Sequence, residues 1–183
     1  MAYPTVDKTY GFKPVNRLDG LPYAGAIRQI PVAAAYATAI LNGDTVAIDT
    51  SGYLVAKTAT ATGDSVGVLV GCQYVNSSGQ TVQGQFYPAA QSTSTNLAFG
   101  YVVDDPNAVF KVVATNGQNT TPVAYNRSIV GANVAISVNT GSTTTGDSYY
   151  GIDGTSANTT NTLPIRVVDV VPDTATGLPG VAA

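Results

Sequence analysis

The sequence predicts an all-β fold, an antiparallel β-sandwich or barrel-like body with an extended N-terminal arm and at most one short helix. Three observations predict it. Short apolar runs are cut repeatedly by Gly, Asn, Asp and Pro, as turns cut strands. The chain is rich in Thr, Ala, Val, Gly and Ser, but only 10% of it is charged. Prolines crowd the first 31 residues and thin out afterwards.

Residues 1–31 form the predicted arm. They hold Pro4, Pro14, Pro22 and Pro31, with Gly11, Gly20 and Gly25 between them. Such spacing forbids a helix and disfavours a central strand. Four of the eight basic residues lie here, Lys8, Lys13, Arg17 and Arg28, interleaved with Tyr3, Tyr10, Phe12 and Tyr23. A purely solvated tail has no need of four rings, so the arm is expected to run across another surface. Those eight residues are the candidate partner-binding residues.

Residues 32–183 are read as one β-rich domain. The run from Val32 to Leu41 has alanines that favour helix, but Pro31 and Asn42-Gly43 bound it tightly, so extended chain is expected. Asp44 to Asp49 alternates as a strand does; Ser51-Gly52 turns the chain into a second strand, Tyr53 to Ala56. Thr58 to Thr62 is a Thr/Ala linker. Val66 to Val75 carries the strongest strand signal, with Gly67 and Gly71 marking bulges or close backbone approach. Asn76 to Gly79 turns it into the return strand Thr81 to Tyr87. Strands Leu97 to Val103 and Val109 to Ala114 are joined by Asp104-Asp105-Pro106-Asn107, a turn of the Asx type. Thr121-Pro122 opens the one candidate helix, with Thr as N-cap and Gly131 as stop. Asn133 to Val138 and Leu163 to Val171 are further strands, separated by the Thr/Gly loop Asn139 to Gly146. The count is about eight to ten strands. Gly43-Asp44-Thr45-Val46 is echoed by Gly63-Asp64-Ser65-Val66, which turn chemistry explains better than duplication.

The same composition speaks against most chemistry. There is no His, no Trp and no Glu, and all 11 acidic residues are Asp. A serine nucleophile lacks a base, no Ser-x-x-Lys run occurs, and neither a P-loop nor a dinucleotide fingerprint is present. Cys72, the single cysteine, sits inside an apolar run and reads as a buried hydrophobe. Asp147 and Asp153 flank Tyr149-Tyr150-Gly151 and suggest a hard-cation site only weakly, since their spacing fits no calcium loop. No enzyme activity, cofactor, metal or small-molecule substrate is therefore expected. A net charge of −3 makes nucleic acid a poor partner, and no run is long enough to span a membrane. A start at Met without a basic-then-apolar leader, together with a free thiol, points to synthesis in a cytoplasm.

Three stretches together resemble the capsid decoration, or cement, proteins of tailed bacteriophages. The first is Gly11-Phe12-Lys13-Pro14-Val15 with Leu18-Asp19-Gly20-Leu21-Pro22-Tyr23. The second runs from Gly43-Asp44-Thr45-Val46 to Gly63-Asp64-Ser65-Val66-Gly67-Val68-Leu69-Val70-Gly71. The third runs from Tyr101-Val102-Val103-Asp104-Asp105-Pro106 through Val109-Phe110-Lys111-Val112 and Gly141 to Ser148, ending at Leu163-Pro164-Ile165-Arg166-Val167. The likeness is spread over most of the chain and carried by the order of its pieces. It implies a virion structural protein on the outer capsid surface, made in the host cytoplasm. Its partner would be the major capsid protein, and it would be a homotrimer. In that role the arm's cations would meet acidic patches of the shell and its rings would fill pockets. The alternative is a host-surface or glycan-binding module of a head fibre or tail, motivated by exposed Tyr in the Asn/Thr-rich loops, Tyr149-Tyr150 above all.

Overall fold

The computed structural model describes residues 8–58, 64–91 and 98–171. Within them the chain is all β. In chain order the strands are β1 (Lys13–Arg17), β2 (Arg28–Val32), β3 (Thr45–Ile48), β4 (Leu54–Ala56), β5 (Gly67–Val75) and β6 (Thr81–Gly84). There follow β7 (Ala98–Val103), β8 (Ala108–Lys111), β9 (Ala114–Thr115), β10 (Asn133–Ser137), β11 (Gly151–Asn158) and β12 (Ile165–Arg166). No helix among the described residues is long and apolar enough to cross a membrane.

The largest sheet runs β2-β7-β5-β3-β4, with β6 added along the far part of β5. All its pairings are antiparallel. The sheet curls until β4 packs against β2, giving the barrel-like body. Each of its five main strands sends a side chain into one core: Val32, Val46, Leu54, Leu69 and Val102 are fully buried there. Each such side chain is worth roughly 1.5–3 kcal/mol of transfer free energy. Tyr87 fills the end of this core, and its hydroxyl donates to the Gln91 carbonyl at 2.9 Å. Cys72 lies in the same core with its thiol donating to Phe86 O at 2.8 Å, and burial pushes that thiol up to about 12.

Successive residues of a strand face opposite ways. So Leu69 of β5 enters the first core, while Val68 enters a second core on the other face. That second core lies under the sheet β12-β10-β11-β9 and the two-stranded pair β1-β8. Val134, Ile136, Ile152 and Phe12 are its main buried members. β9 and β11 are its only parallel pair among the described strands.

Two close backbone approaches shape the body, the first within the largest sheet and the second where residues 11 and 43 cross. Gly67 of β5 lies so near β7 that an added Cβ would stand 2.3 Å from the Val103 carbonyl oxygen. The register slips between Leu69 and Gly71, a bulge where the glycines predicted one. Further on, Gly11 crosses Gly43, both at positive φ (77° and 95°). An added Cβ on Gly43 would lie 3.2 Å from the Gly11 Cα. The crossing is sealed by the Phe12 amide donating to Gly43 O at 2.9 Å and the Gly11 amide donating to Tyr150 O at 3.0 Å.

Several expectations need correction. Residues 8–31, expected as an extended arm across another surface, pack on their own chain: Thr9 and Phe12 are buried, β1 pairs with β8, and the boundary at residue 31 falls inside β2. Pro31 is tolerated because β2 is an edge strand, where a missing N–H costs no ladder bond. Val32 to Leu41 is not one extended run. β2 ends at Val32, Ala35 turns the chain at φ 53°, and Ile40 returns as a lone bridge to Tyr87. No helix starts at Thr121-Pro122. Pro122 bridges to Thr115, and Asn126 instead caps a single 3-10 turn, Arg127–Ile129, after which Gly131 turns the chain at φ 85°. Val109 to Ala114 divides into β8 and β9, and Leu163 to Val171 shrinks to β12. β11 was unforeseen. The hairpin β3-β4 and its Ser51-Gly52 turn stand as expected; the structure adds Asp49 Oδ1, which accepts the Ser51 and Tyr53 amides at 2.9 and 2.8 Å. Most of the Thr/Ala linker, Gly63, Leu97, residues 1–7 and residues 172–183 lie outside the described residues.

Gly67→Ala is expected to destabilise the fold by about 1–3 kcal/mol, the cost of overpacking against a backbone carbonyl. Gly71→Ala, whose Cβ would meet the Tyr101 ring at 3.3 Å, should cost less. Equilibrium urea unfolding of the two variants checks this, and equal midpoints would contradict it.

Candidate functional site

Between β1 and β2 the chain leaves the body. Arg17 hands over to a tight turn: its amide donates to Leu21 O at 2.9 Å, and the Gly20 amide donates to Arg17 O at 3.0 Å. The Asp19 carboxylate accepts the Leu21 amide at 3.2 Å, an Asx turn of the kind Leu-Asp-Gly-Leu spells. Within residues 18–29 every side chain is exposed except Tyr23, which is half-buried. The loop is apolar nonetheless. Leu18, Leu21 and Ile27 are 59%, 57% and 51% exposed, and Val15 beside them is also exposed.

The loop is clamped at both ends. Arg28, where β2 begins, pairs with Asp104 at 2.8 Å. Arg17, where β1 ends, faces Asp105 at 3.8 Å and Asp19 at 3.2 Å. The adjacent aspartates of the β7-β8 turn thus hold the two feet of one loop. The Leu18 amide adds a bond to Asn107 O of that same turn, at 2.8 Å. Across the loop, the Tyr23 hydroxyl donates to Ala26 O at 2.9 Å; burial and the nearby Asp105 both raise its pKa, burial more.

Beside the loop lies a cleft of about 870 Å³. Leu18 reaches its rim, and its walls include Phe110, Val112, Val123, Ile129 and Val167. Val168 and Val171 on its lip are 45% and 48% exposed. Loop and cleft together make a large apolar patch, the kind of surface that soluble proteins keep for a partner.

The eight residues singled out by the sequence fare differently. Arg17, Tyr23 and Arg28 meet at the loop and its clamp. Tyr10 lines the cleft. Phe12 is 2% exposed, stacks edge-on with Phe110 at 6.3 Å in the second core, and also lines the cleft. Lys13 donates to Asn42 Oδ1 at 2.7 Å. Lys8 sits over the Tyr149 ring, 5.6 Å from its centre. Tyr3 lies outside the described residues. All four cations of the predicted arm therefore have partners in their own chain. The apolar residues between them, Leu18, Leu21 and Ile27, were missed. The available signal was their spacing around an Asp-Gly turn in a proline-rich stretch.

Tyr150 is buried, with its hydroxyl donating to Lys57 O at 2.8 Å, and Tyr149 lies half-buried beneath Lys8. Burial closes the Tyr150 ring to a sugar face, while the half-buried Tyr149 ring carries the Lys8 ammonium over it. Asp153 Oδ1 accepts the Gly117 and Thr155 amides at 3.0 and 2.9 Å, which ties β11 to the loop after β9. Among the described residues no three metal-ligating side chains come together.

One carboxylate is unusual. Asp44, just after the Gly11-Gly43 crossing, is buried, and its Oδ2 accepts the Leu41 amide at 2.7 Å. Burial pushes it up to about 6, from 3.8, against the pull of the Ser148 hydroxyl, the Leu41 amide and the Lys13 ammonium.

No protein-family model, curated protein or solved structure matches this chain.

Two outcomes are expected from these contacts. Asp104→Asn with Asp105→Asn should leave the melting temperature within a few degrees of wild type, since exposed ion pairs contribute about 0–1 kcal/mol each. Amide exchange over residues 18–27 should nonetheless accelerate, and unchanged exchange there would contradict the clamp. For Asp44 the folded state binds the proton more tightly than the unfolded state between about pH 4 and 6, so its contribution is greatest at low pH and is lost as pH rises through 6. Asp44→Asn should therefore stabilise the protein at pH 8, by at most about 3 kcal/mol, and by little at pH 4. Chemical denaturation at both pH values reads this; a variant that runs parallel to wild type would contradict it.

Proposed function

We propose that this chain is a structural protein of a bacteriophage virion that binds the outside of the assembled capsid and stabilises it, as a homotrimeric decoration protein docked on the major capsid protein. The observation that carries this reading is the exposed apolar loop over residues 18–27, anchored at both feet by Asp104 and Asp105. Rigid apolar anchors cost little entropy to dock, and a few of them dominate the energy of an interface. The loop also contains the Leu18-to-Tyr23 stretch through which the sequence resembles decoration proteins.

Such a role asks for buried area and no chemistry. A protein that binds only the assembled shell stabilises it by mass action, in proportion to the logarithm of its free concentration over its dissociation constant. Opposite faces of β5 enter the two cores through Leu69 and Val68, which gives the loop a packed body behind it.

Leu18→Asp, Leu21→Asp and Ile27→Asp combined should leave folding intact, because all three side chains are exposed. Co-sedimentation with purified shells lacking this protein should weaken at least about 100-fold, from the loss of three apolar anchors of about 1.5 kcal/mol or more each. Equal sedimentation of variant and wild type, or no sedimentation of wild type, would contradict the reading.

A further inference from the structure

We propose that the cleft beside the clamped loop is a strand-acceptor site that takes an extended, acidic segment of the partner protein. This rests on the docking reading above and names what that surface binds.

Backbone geometry is the first support. β8 is paired only with β1, and β12 only with β10, among the described strands. Each therefore keeps one edge without a neighbour, and both strands line the cleft. An edge of unpaired N–H and C=O groups is a template for another strand. A strand laid there gains main-chain hydrogen bonds, while alternate side chains enter the apolar wall formed by Phe110, Val112 and Val167.

Charge sets the second requirement. The three aspartates lining the cleft are already engaged: Asp104 by Arg28, Asp105 by Arg17 and Asp169 by Arg127. Among the described residues, Lys111 of β8 and Arg166 of β12 form no ion pair, and both line the cleft. They stand on the two strands whose edges are open. The uncompensated charge of the cleft is thus positive on a protein whose net charge is −3. An incoming segment with apolar residues at alternate positions and carboxylates between them matches both features.

Two measurements decide it. The first uses a fluorescein-labelled peptide of about ten residues, alternating Val and Thr with two Asp in place of Thr, sized to span a strand. Its anisotropy should rise with the full-length protein. Binding should weaken at least about tenfold for the peptide carrying Lys in place of Asp, for a peptide N-methylated at alternate amides, and for Lys111→Asp with Arg166→Asp. The N-methylated peptide keeps the test independent of how the variant folds. The second repeats shell co-sedimentation with that double variant, which should bind at least about tenfold more weakly than wild type. Equal binding of the Asp and Lys peptides, or shell binding unchanged in the double variant, overturns the acceptor site while leaving the docking reading intact. Wild-type protein that ignores shells overturns the docking reading, and the peptide result then decides the cleft alone. Self-association abolished by the double variant would assign the cleft to a second copy of this chain and overturn the proposal.

Discussion

The crossing of Gly11 over Gly43 is the constraint on which the rest of the structure depends. Two backbone segments meet there at a separation that no side chain permits, and both residues adopt positive φ. The crossing drives Phe12 into the second core and brings Asp44 into a buried position. β1 begins two residues after Gly11 and pairs along β8. A residue with a Cβ at position 11 would collide with the Ser148 Cβ at 2.7 Å and with Gly43 O at 2.9 Å. The chain could then neither seat Phe12 nor begin β1 in register.

From that point the geometry propagates outward. β1 delivers Arg17 to the β7-β8 turn, and β2, paired along β7, delivers Arg28 to the same turn. Two adjacent carboxylates collect both. The ten residues between the arginines are left outside, apolar and yet restrained. Ion pairs at such exposure add little to global stability. Their effect is local, in holding a loop that has almost no core of its own. The buried Asp44 acts in the opposite sense: it is a cost at neutral pH, because burial disfavours its charged form.

Legibility in the sequence followed the reach of each signal. Turn chemistry is local, so Asp49-Thr50-Ser51-Gly52 and Asn76 to Gly79 were readable, as were the glycines of β5. Strand identity was readable where β-branched residues ran together, as in β3, β5, β7 and β10. β11 was not, because Gly-Ile-Asp-Gly-Thr-Ser-Ala-Asn lacks apolar alternation; partners on either side, β9 and β10, hold it in the sheet. The density of prolines suggested an extended arm, but Pro14 and Pro31 both sit in edge strands of the body, where proline is tolerated. The candidate site was half legible. Arg17, Tyr23 and Arg28 were found from charge and ring content. Their partners Asp104 and Asp105 are some 80 residues away, and only the tertiary fold shows that they grip one loop. Leu18, Leu21 and Ile27 read as ordinary apolar residues until their exposure was known.

A chain with this composition supports a reading in terms of surfaces. Its polar groups cap turns, pair strands and clamp a loop, and its unused capacity lies in an apolar loop, an apolar cleft and two cations on open strand edges. The most direct measurement is cryo-electron microscopy of purified particles from a lysate that contains this protein. Many copies are expected on the shell lattice, with residues 18–27 buried against the capsid protein. Copies confined to one vertex or a fibre, or a lattice-bound protein whose loop faces solvent, would contradict it.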